Sequence, residues 1–163
     1  MNTIIKGKVW KYGDDINTDV IFPGKYTYTV TGPGEIASHA LEDLDPSFAK
    51  SVRPGDIIVA GKNFGCGSSR EQAATCLKHA GVGAVIAGTF SRLFFRNAIN
   101  SGLPLVQSRE ASNQIPANAD IEIDLAQGRV KYGGRIFEFP GLPEAVLGIV
   151  RDGGLIAHIK KTL

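Results

Sequence analysis

Asp56-Ile57-Ile58-Val59-Ala60-Gly61-Lys62-Asn63-Phe64-Gly65-Cys66-Gly67-Ser68-Ser69-Arg70-Glu71 decides the fold. The apolar run at 56–60 reads as a buried strand. Residues 72–81, Gln72-Ala73-Ala74-Thr75-Cys76-Leu77-Lys78-His79-Ala80-Gly81, read as a helix. Between them lies a glycine-rich loop. Gly65 and Gly67 allow positive φ or a close backbone approach. Ser68 and Glu71 have capping-box spacing, so the helix is expected to be capped by the Ser68 hydroxyl. The first turn of such a helix offers unpaired N–H groups and partial positive charge. With the Arg70 guanidinium beside it, that end suits a carboxylate or a phosphate. A plain capped turn with a solvated arginine fits the same residues.

Two nucleotide-loop patterns fail here. The phosphate loop needs Gly-x-x-x-x-Gly-Lys-Ser/Thr, and no lysine precedes these serines. The dinucleotide fingerprint needs a third glycine where Arg70 stands.

Outward from the loop the pattern repeats. Gly81-Val82-Gly83 ends the helix, and residues 84–87 form a second buried strand. Residues 92–100 read as a helix with Phe94, Phe95, Ala98 and Ile99 on its apolar face. Gly102 and Pro104 close it, and residues 103–106 give a third strand. This βαβαβ order with short loops predicts three parallel strands. Upstream, residues 4–12 alternate as a first strand. Residues 13–26 form an acidic turn that runs through Asp14, Asp15 and Asp19 into Pro23-Gly24. No Asp-x-Asp-x-Asp calcium loop occurs there. Residues 26–34 have strand propensity yet sit between turns, which fits an exposed loop with aromatic tips. Residues 35–44 read as a short helix, and 45–47 start another helical turn. Downstream, residues 120–125, 129–132 and 135–139 form a β-meander with one wet face. Residues 143–150 and 155–160 read as closing helices.

The bulk numbers fit one α/β domain over residues 1–163 with a sizeable core. The chain is 43% hydrophobic and 21% charged, and 20 glycines fit many tight turns. A net charge of +2 gives no nucleic-acid or membrane footprint. No apolar run is long enough to span a bilayer. The start of the chain lacks the pattern of a signal peptide. The two cysteines, Cys66 and Cys76, are not an obvious disulfide, so a reduced, cytoplasmic setting is expected. Two thiols cannot hold an iron–sulfur cluster, and His39, His79 and His158 have no metal-ligand spacing.

Three ordered motifs point further: Asn17-Thr18-Asp19-Val20-Ile21-Phe22-Pro23-Gly24-Lys25-Tyr26, the loop at 61–71, and Phe90-Ser91-Arg92-Leu93-Phe94-Phe95-Arg96-Asn97-Ala98-Ile99-Asn100-Ser101-Gly102-Leu103-Pro104. Together they closely resemble the small subunits of 3-isopropylmalate dehydratases, over essentially the whole chain. Those subunits correspond to the swivelling C-terminal domain of aconitases. The resemblance implies an α/β fold, the swivelling β/β/α domain of the aconitase type, with a parallel βαβαβ core and a C-terminal β-meander. It also implies a hydro-lyase subunit, inactive alone. Its partner is a large subunit whose [4Fe–4S] cluster binds the hydroxyl and a carboxylate of a small hydroxy acid.

Carried over by position, Ser68 resembles the catalytic base. Ser69 and Arg70 resemble substrate contacts, with Arg70 clamping a carboxylate. Asp19, Gly67, Arg92 and Asn97 match positions of active-site support, and Arg92 and Asn97 are read as structural or one layer removed. Tyr26, Thr27, Tyr28 and Thr29 fall in the substrate-selecting loop, residues 26–31. Aconitase and homoaconitase relatives place an arginine there, and this loop has none, which favours an alkyl substituent. Burying a third carboxylate unpaired would cost several kcal/mol. A homoaconitase, another substituted-malate dehydratase, and a stand-alone anion- or RNA-binding module are the alternatives. The weak net charge and the lack of aromatic–basic interleaving speak against RNA.

Overall fold

The structure is a computed structural model that describes residues 3–163. Met1 and Asn2, which begin the stretch read as lacking a signal peptide, lie outside the described residues.

One seven-stranded sheet runs through the molecule. Its strands are β1 (Ile4–Lys11), β2 (Ile57–Ala60), β3 (Ala84–Ala87), β4 (Leu105–Gln107), β5 (Asp120–Asp124), β6 (Arg129–Tyr132) and β7 (Arg135–Glu138). Their order is β4-β3-β2-β1-β5-β6-β7. β2, β3 and β4 are parallel, as the βαβαβ reading requires, β1 joins them in parallel, and the last three continue antiparallel as the meander. β1 is the seam. It pairs parallel with β2 and antiparallel with β5, so one strand joins the two halves. β4 lies slightly later than expected, because Leu103 and Pro104 belong to the turn that enters it.

The local sequence explains the burial. β2 and β3 are apolar at every position and buried at every position, as parallel strands covered on both faces should be. Alternate residues serve two cores. Ile58, Ala60, Val85 and Ala87 face a first cluster, while Ile57, Val59, Ala84 and Ile86 face a second. The helices follow the same division. α1 (Thr18–Ile21), α2 (Pro33–Ser38), α3 (Phe48–Ser51) and α4 (Glu71–His79) contribute to the first cluster. α6 (Arg109–Gln114) and α7 (Glu144–Arg151) contribute to the second, and α8 (Leu155–Thr162) packs on α7. α5 (Arg92–Asn100) gives Phe94 and Ala98 to one and Ile99 to the other. Phe95 is only half-buried.

One expectation changes and one is sharpened. The helix read at 35–44 is α2, and it ends at Ser38. The chain then bends so that Leu41, at φ 56°, donates its N–H to Ile21 O at 2.8 Å and buries its side chain completely. Core burial there outweighs helix continuation. Residues 26–34 contain no strand. A 3₁₀ turn at Gly24–Tyr26 leads into successive turns, closed by Thr29 and Val30 N–H groups donating to Tyr26 O. The short helix α6 has no strong sequence signal. Ser108 caps it, accepting from Ala111 N at 3.1 Å, and tertiary contacts hold it: Ser112 Oγ donates to Ala60 O at 2.5 Å, and Lys11 Nζ donates to the Ser112 carbonyl and to Ile115 O at 2.7 Å.

Candidate active site

The loop at 61–71 and the segment at 13–26 are laced together by their backbones. Asp15 N donates to Lys62 O at 2.9 Å, Gly65 N to Ile16 O at 2.7 Å, and Thr18 N to Cys66 O at 2.8 Å. On the other side Phe64 bridges Phe90, with Phe64 N donating to Thr89 O at 3.0 Å. The three motifs therefore meet at one end of the parallel strands, around residues 64–70. Gly65 is obligatory there. Its φ is +82°, and a Cβ would stand 2.2 Å from Cγ of Phe94. The first ring carbons of α5 thus rest directly on the loop.

Ser68 is exposed. Its carbonyl accepts a 2.7 Å hydrogen bond from the buried Thr18 hydroxyl. Among the described residues its own hydroxyl has no partner, so it is open to a group from outside the chain. The capping box is not formed. Arg70, not Ser68, occupies the N-cap of α4, and no side chain caps it. The reason is the Thr18 clamp, together with Gly67 at φ +96°. These hold residues 66–68 against α1, away from the first turn of the helix. That turn therefore keeps free N–H groups, and Glu71 contributes charge rather than a reciprocal bond.

Arg70 is held by Asp19. Nη1 donates to Asp19 Oδ1 at 2.8 Å, and the same oxygen accepts from Gly24 N at 2.8 Å. Those two bonds, the arginine first, hold the Asp19 carboxyl below its usual range. Gly24 permits the arrangement, since a Cβ would sit 2.8 Å from Arg70 Nη2 and 2.9 Å from Asp19 Oδ1. The guanidinium is mostly shielded, while the carboxylate is largely exposed. One edge of the fork is fixed and the rest remains for an anion. Asp19 itself is positioned by α1, whose N-cap Asn17 accepts from Val20 N at 2.8 Å.

Ser69 is exposed and lies 3.4 Å from Asn97 Nδ2 on α5. Arg92, at the first position of α5, is exposed and has no hydrogen bond or ion pair among the described residues. It points to solvent rather than serving the fold. Tyr26 and Thr27 are half-buried, and Tyr28 and Thr29 are exposed, Tyr28 at 94%. A residue not singled out from the sequence ties this loop to the helix: Gln72 Nε2 donates to Thr27 O at 2.8 Å. Its place two residues after Arg70 was the available signal.

The cysteines are free. Cys76 is buried, its thiol directed at Ala73 O and Ile21 O, and burial pushes its pKa up. Among the described residues no group of three or more His, Cys, Asp or Glu side chains could hold a metal ion, and no helix is long and apolar enough to cross a membrane.

Residues 14–110, which span the whole of this site, match the Aconitase C-terminal domain. The chain belongs to that family. Within it, a 3-isopropylmalate dehydratase small subunit of Caldicellulosiruptor bescii is 50% identical, over 98% of this chain and 97% of its own. A methanogen homoaconitase small subunit of Methanothermobacter thermautotrophicus is 47% identical, over 100% and 95%. The crystal structure of a 3-isopropylmalate dehydratase from Methanocaldococcus jannaschii superposes with a TM-score of 0.90 at 42% identity, covering 98% of this chain and 95% of that one. The α/β fold of this aconitase-family chain, with its parallel core and meander, is therefore that of a dehydratase small subunit.

Proposed function

We propose that this chain is the small subunit of a 3-isopropylmalate dehydratase, a hydro-lyase that interconverts 2- and 3-isopropylmalate in leucine biosynthesis. The observation that carries the reading is the pairing of an exposed, backbone-pinned Ser68 with an Arg70 fixed by Asp19. A relative of that name matches half of its residues over nearly its full length. Its partner in this reading is a large subunit that carries a [4Fe–4S] cluster. This chain's own residues do not fit such a cluster, because Cys76 is sealed in the core and, among the described residues, no group of three or more His, Cys, Asp or Glu side chains could hold a metal ion. The cluster supplies Lewis-acid chemistry at the substrate hydroxyl.

The residues of this chain do the rest. Arg70 receives a substrate carboxylate on the edge of its fork that Asp19 leaves open. Ser68 Oγ takes the proton from the carbon next to a carboxylate as the C–O bond at the neighbouring carbon breaks. It holds that proton through the alkene stage and returns it to the carbon that lost the hydroxyl, as hydroxide adds at the carbon that lost the proton. A serine is a weak base unless its alkoxide is stabilised. Arg70 and the uncapped first turn of α4 are the positive groups this chain offers. Ser69, kept near Asn97, is a further substrate contact, and Gly67 lets the backbone approach. Arg92, exposed at the first position of α5, is a group for the partner or the substrate.

Residues 26–31 select the substituent. Their side chains are uncharged, so an alkyl group is preferred to a third carboxylate. A homoaconitase small subunit is the second reading, supported by the methanogen relative at 47% identity. The test is anaerobic co-purification of the chain with its natural large subunit, followed by assay with isopropylmalate, homoaconitate and citrate. Turnover of isopropylmalate well above the other two is expected. Preference for homoaconitate would favour the second reading, and a chain that restores no hydro-lyase activity would remove both.

A further inference from the structure

Tyr28 and Thr29 form the exposed part of the loop, between half-buried Thr27 and buried Val30, and the backbone geometry of these residues starts from Tyr26. The Tyr26 carbonyl accepts from Thr29 N at 3.3 Å and from Val30 N at 3.1 Å. What holds Tyr26 is therefore what aims the loop. Its ring stacks on the imidazole of His39, with centroids 3.8 Å apart and planes 20° from parallel. His39 stands at the C-cap of α2, and its Nδ1 meets Glu42 Oε1 at 2.7 Å. The same carboxylate holds the Tyr26 phenol above its ordinary range.

Glu42, His39 and Tyr26 thus make a column of carboxylate, imidazole and phenol under the loop. All three are half-buried. They belong to no strand and do not touch Ser68 or Arg70. An apolar contact would anchor the loop equally well but would leave its direction loose. A hydrogen bond and a stacked pair fix orientation as well as distance. The far side of the loop is tethered by Gln72 from the first turn of α4, the helix that follows Ser68 and Arg70. The loop is therefore held in a set relation to the proposed base and carboxylate clamp.

We infer that Glu42 and His39 are positioning residues for substrate selection, holding Tyr26 so that Thr27, Tyr28 and Thr29 meet the substituent on the malate carbon at one height. This rests on the reading of residues 26–31 as the substrate-selecting loop. The pair touches no substrate. It acts through Tyr26, and its loss blurs discrimination more than it slows the chemistry.

The experiment uses the two-subunit holoenzyme and two substrates, isopropylmalate and a methyl-substituted malate. Glu42→Ala and His39→Leu are expected to raise KM for isopropylmalate by about five- to tenfold, more than they lower kcat. Both should bring the kcat/KM ratio of the two substrates toward one. Glu42→Gln, whose amide oxygen still accepts from His39, should restore the ratio, which a merely structural loss would not do. Either folded alanine or leucine variant suffices for the test. Tyr28→Arg is the control, since it changes the loop tip directly. If Tyr28→Arg moves the ratio while the Glu42 and His39 variants leave it unchanged, the positioning role is wrong and the loop reading stands. If no variant moves it, the loop does not select substrate and the inference falls with that reading.

Discussion

Asp19 and Arg70, 51 positions apart in the chain, share a 2.8 Å ion pair whose carboxylate oxygen also takes the N–H of Gly24. The pair joins the first motif to the second and fixes how the guanidinium is presented. Its charge state has a consequence for pH. The folded-state pKa of Asp19 is depressed below its ordinary value of 3.8, Arg70 being the first cause. The stabilisation is therefore complete above that value and lost as pH falls through the depressed one. Asp19→Asn should remove this acid-side loss, which thermal melts of native and variant chains between about pH 5 and about pH 2 would reveal. At neutral pH the same variant should lower kcat/KM by about tenfold and lower Tm by the same small amount that the native chain loses on acidification, the carboxylate being largely exposed.

Ser68→Ala tests the proton transfer. Among the described residues its side chain makes no hydrogen bond, and the Thr18 bond goes to its backbone. Turnover should fall by roughly 10²- to 10⁴-fold, the span of general acid–base contributions, with Tm and binding to the large subunit unchanged. Steady-state assay with a parallel pull-down checks it. Full activity would take Ser68 out of the mechanism.

Arg70→Lys keeps the charge and loses the fork. A lysine ammonium cannot hold Asp19 and a substrate carboxylate in one plane. KM should rise and kcat fall, together costing about 100-fold in kcat/KM. An unchanged kcat/KM would mean that Arg70 does not clamp substrate.

Gly65→Ala is a test of the scaffold. The new Cβ would overlap the Phe94 ring at 2.2 Å and hold an L-residue at φ +82°. Overpacking and left-handed strain together should cost about 3 kcal/mol, read as a lower denaturation midpoint. Activity should fall with it, because the Phe94 contact seats the loop that carries Ser68.

Much of this molecule is legible in order along the chain. The apolar runs at 57–60 and 84–87 announce fully buried strands because no polar residue interrupts them, and both are buried throughout. The alternation at 120–124 announces a half-wet strand for the same reason, and Ile121 and Ile123 are its buried members. The glycine-rich loop with Ser68, Ser69 and Arg70 stands out because such residues at a strand-to-helix turn serve a ligand better than a core.

Other features depend on contacts between distant segments, and local composition cannot encode them. The capping box at Ser68 and Glu71 had the right spacing, yet Thr18, 50 positions away, claims the Ser68 backbone and leaves Arg70 at the cap. Leu41 has a helix-forming side chain, yet the hydrogen bond to Ile21 and complete burial turn it out of the helix. α6 is held by Lys11 and by the carbonyl of Ala60, neither of which is near it in sequence. The role of β1 as the seam between parallel and antiparallel halves follows from which edges are free once both halves exist. Residue order thus determined the strands, the helix faces and the chemical identity of the loop, since these depend on neighbours a few positions apart. The partners of Ser68, Arg70 and Tyr26 were decided only by the folded chain, because each is a hydrogen bond or ring contact made across a gap in sequence that folding alone closes.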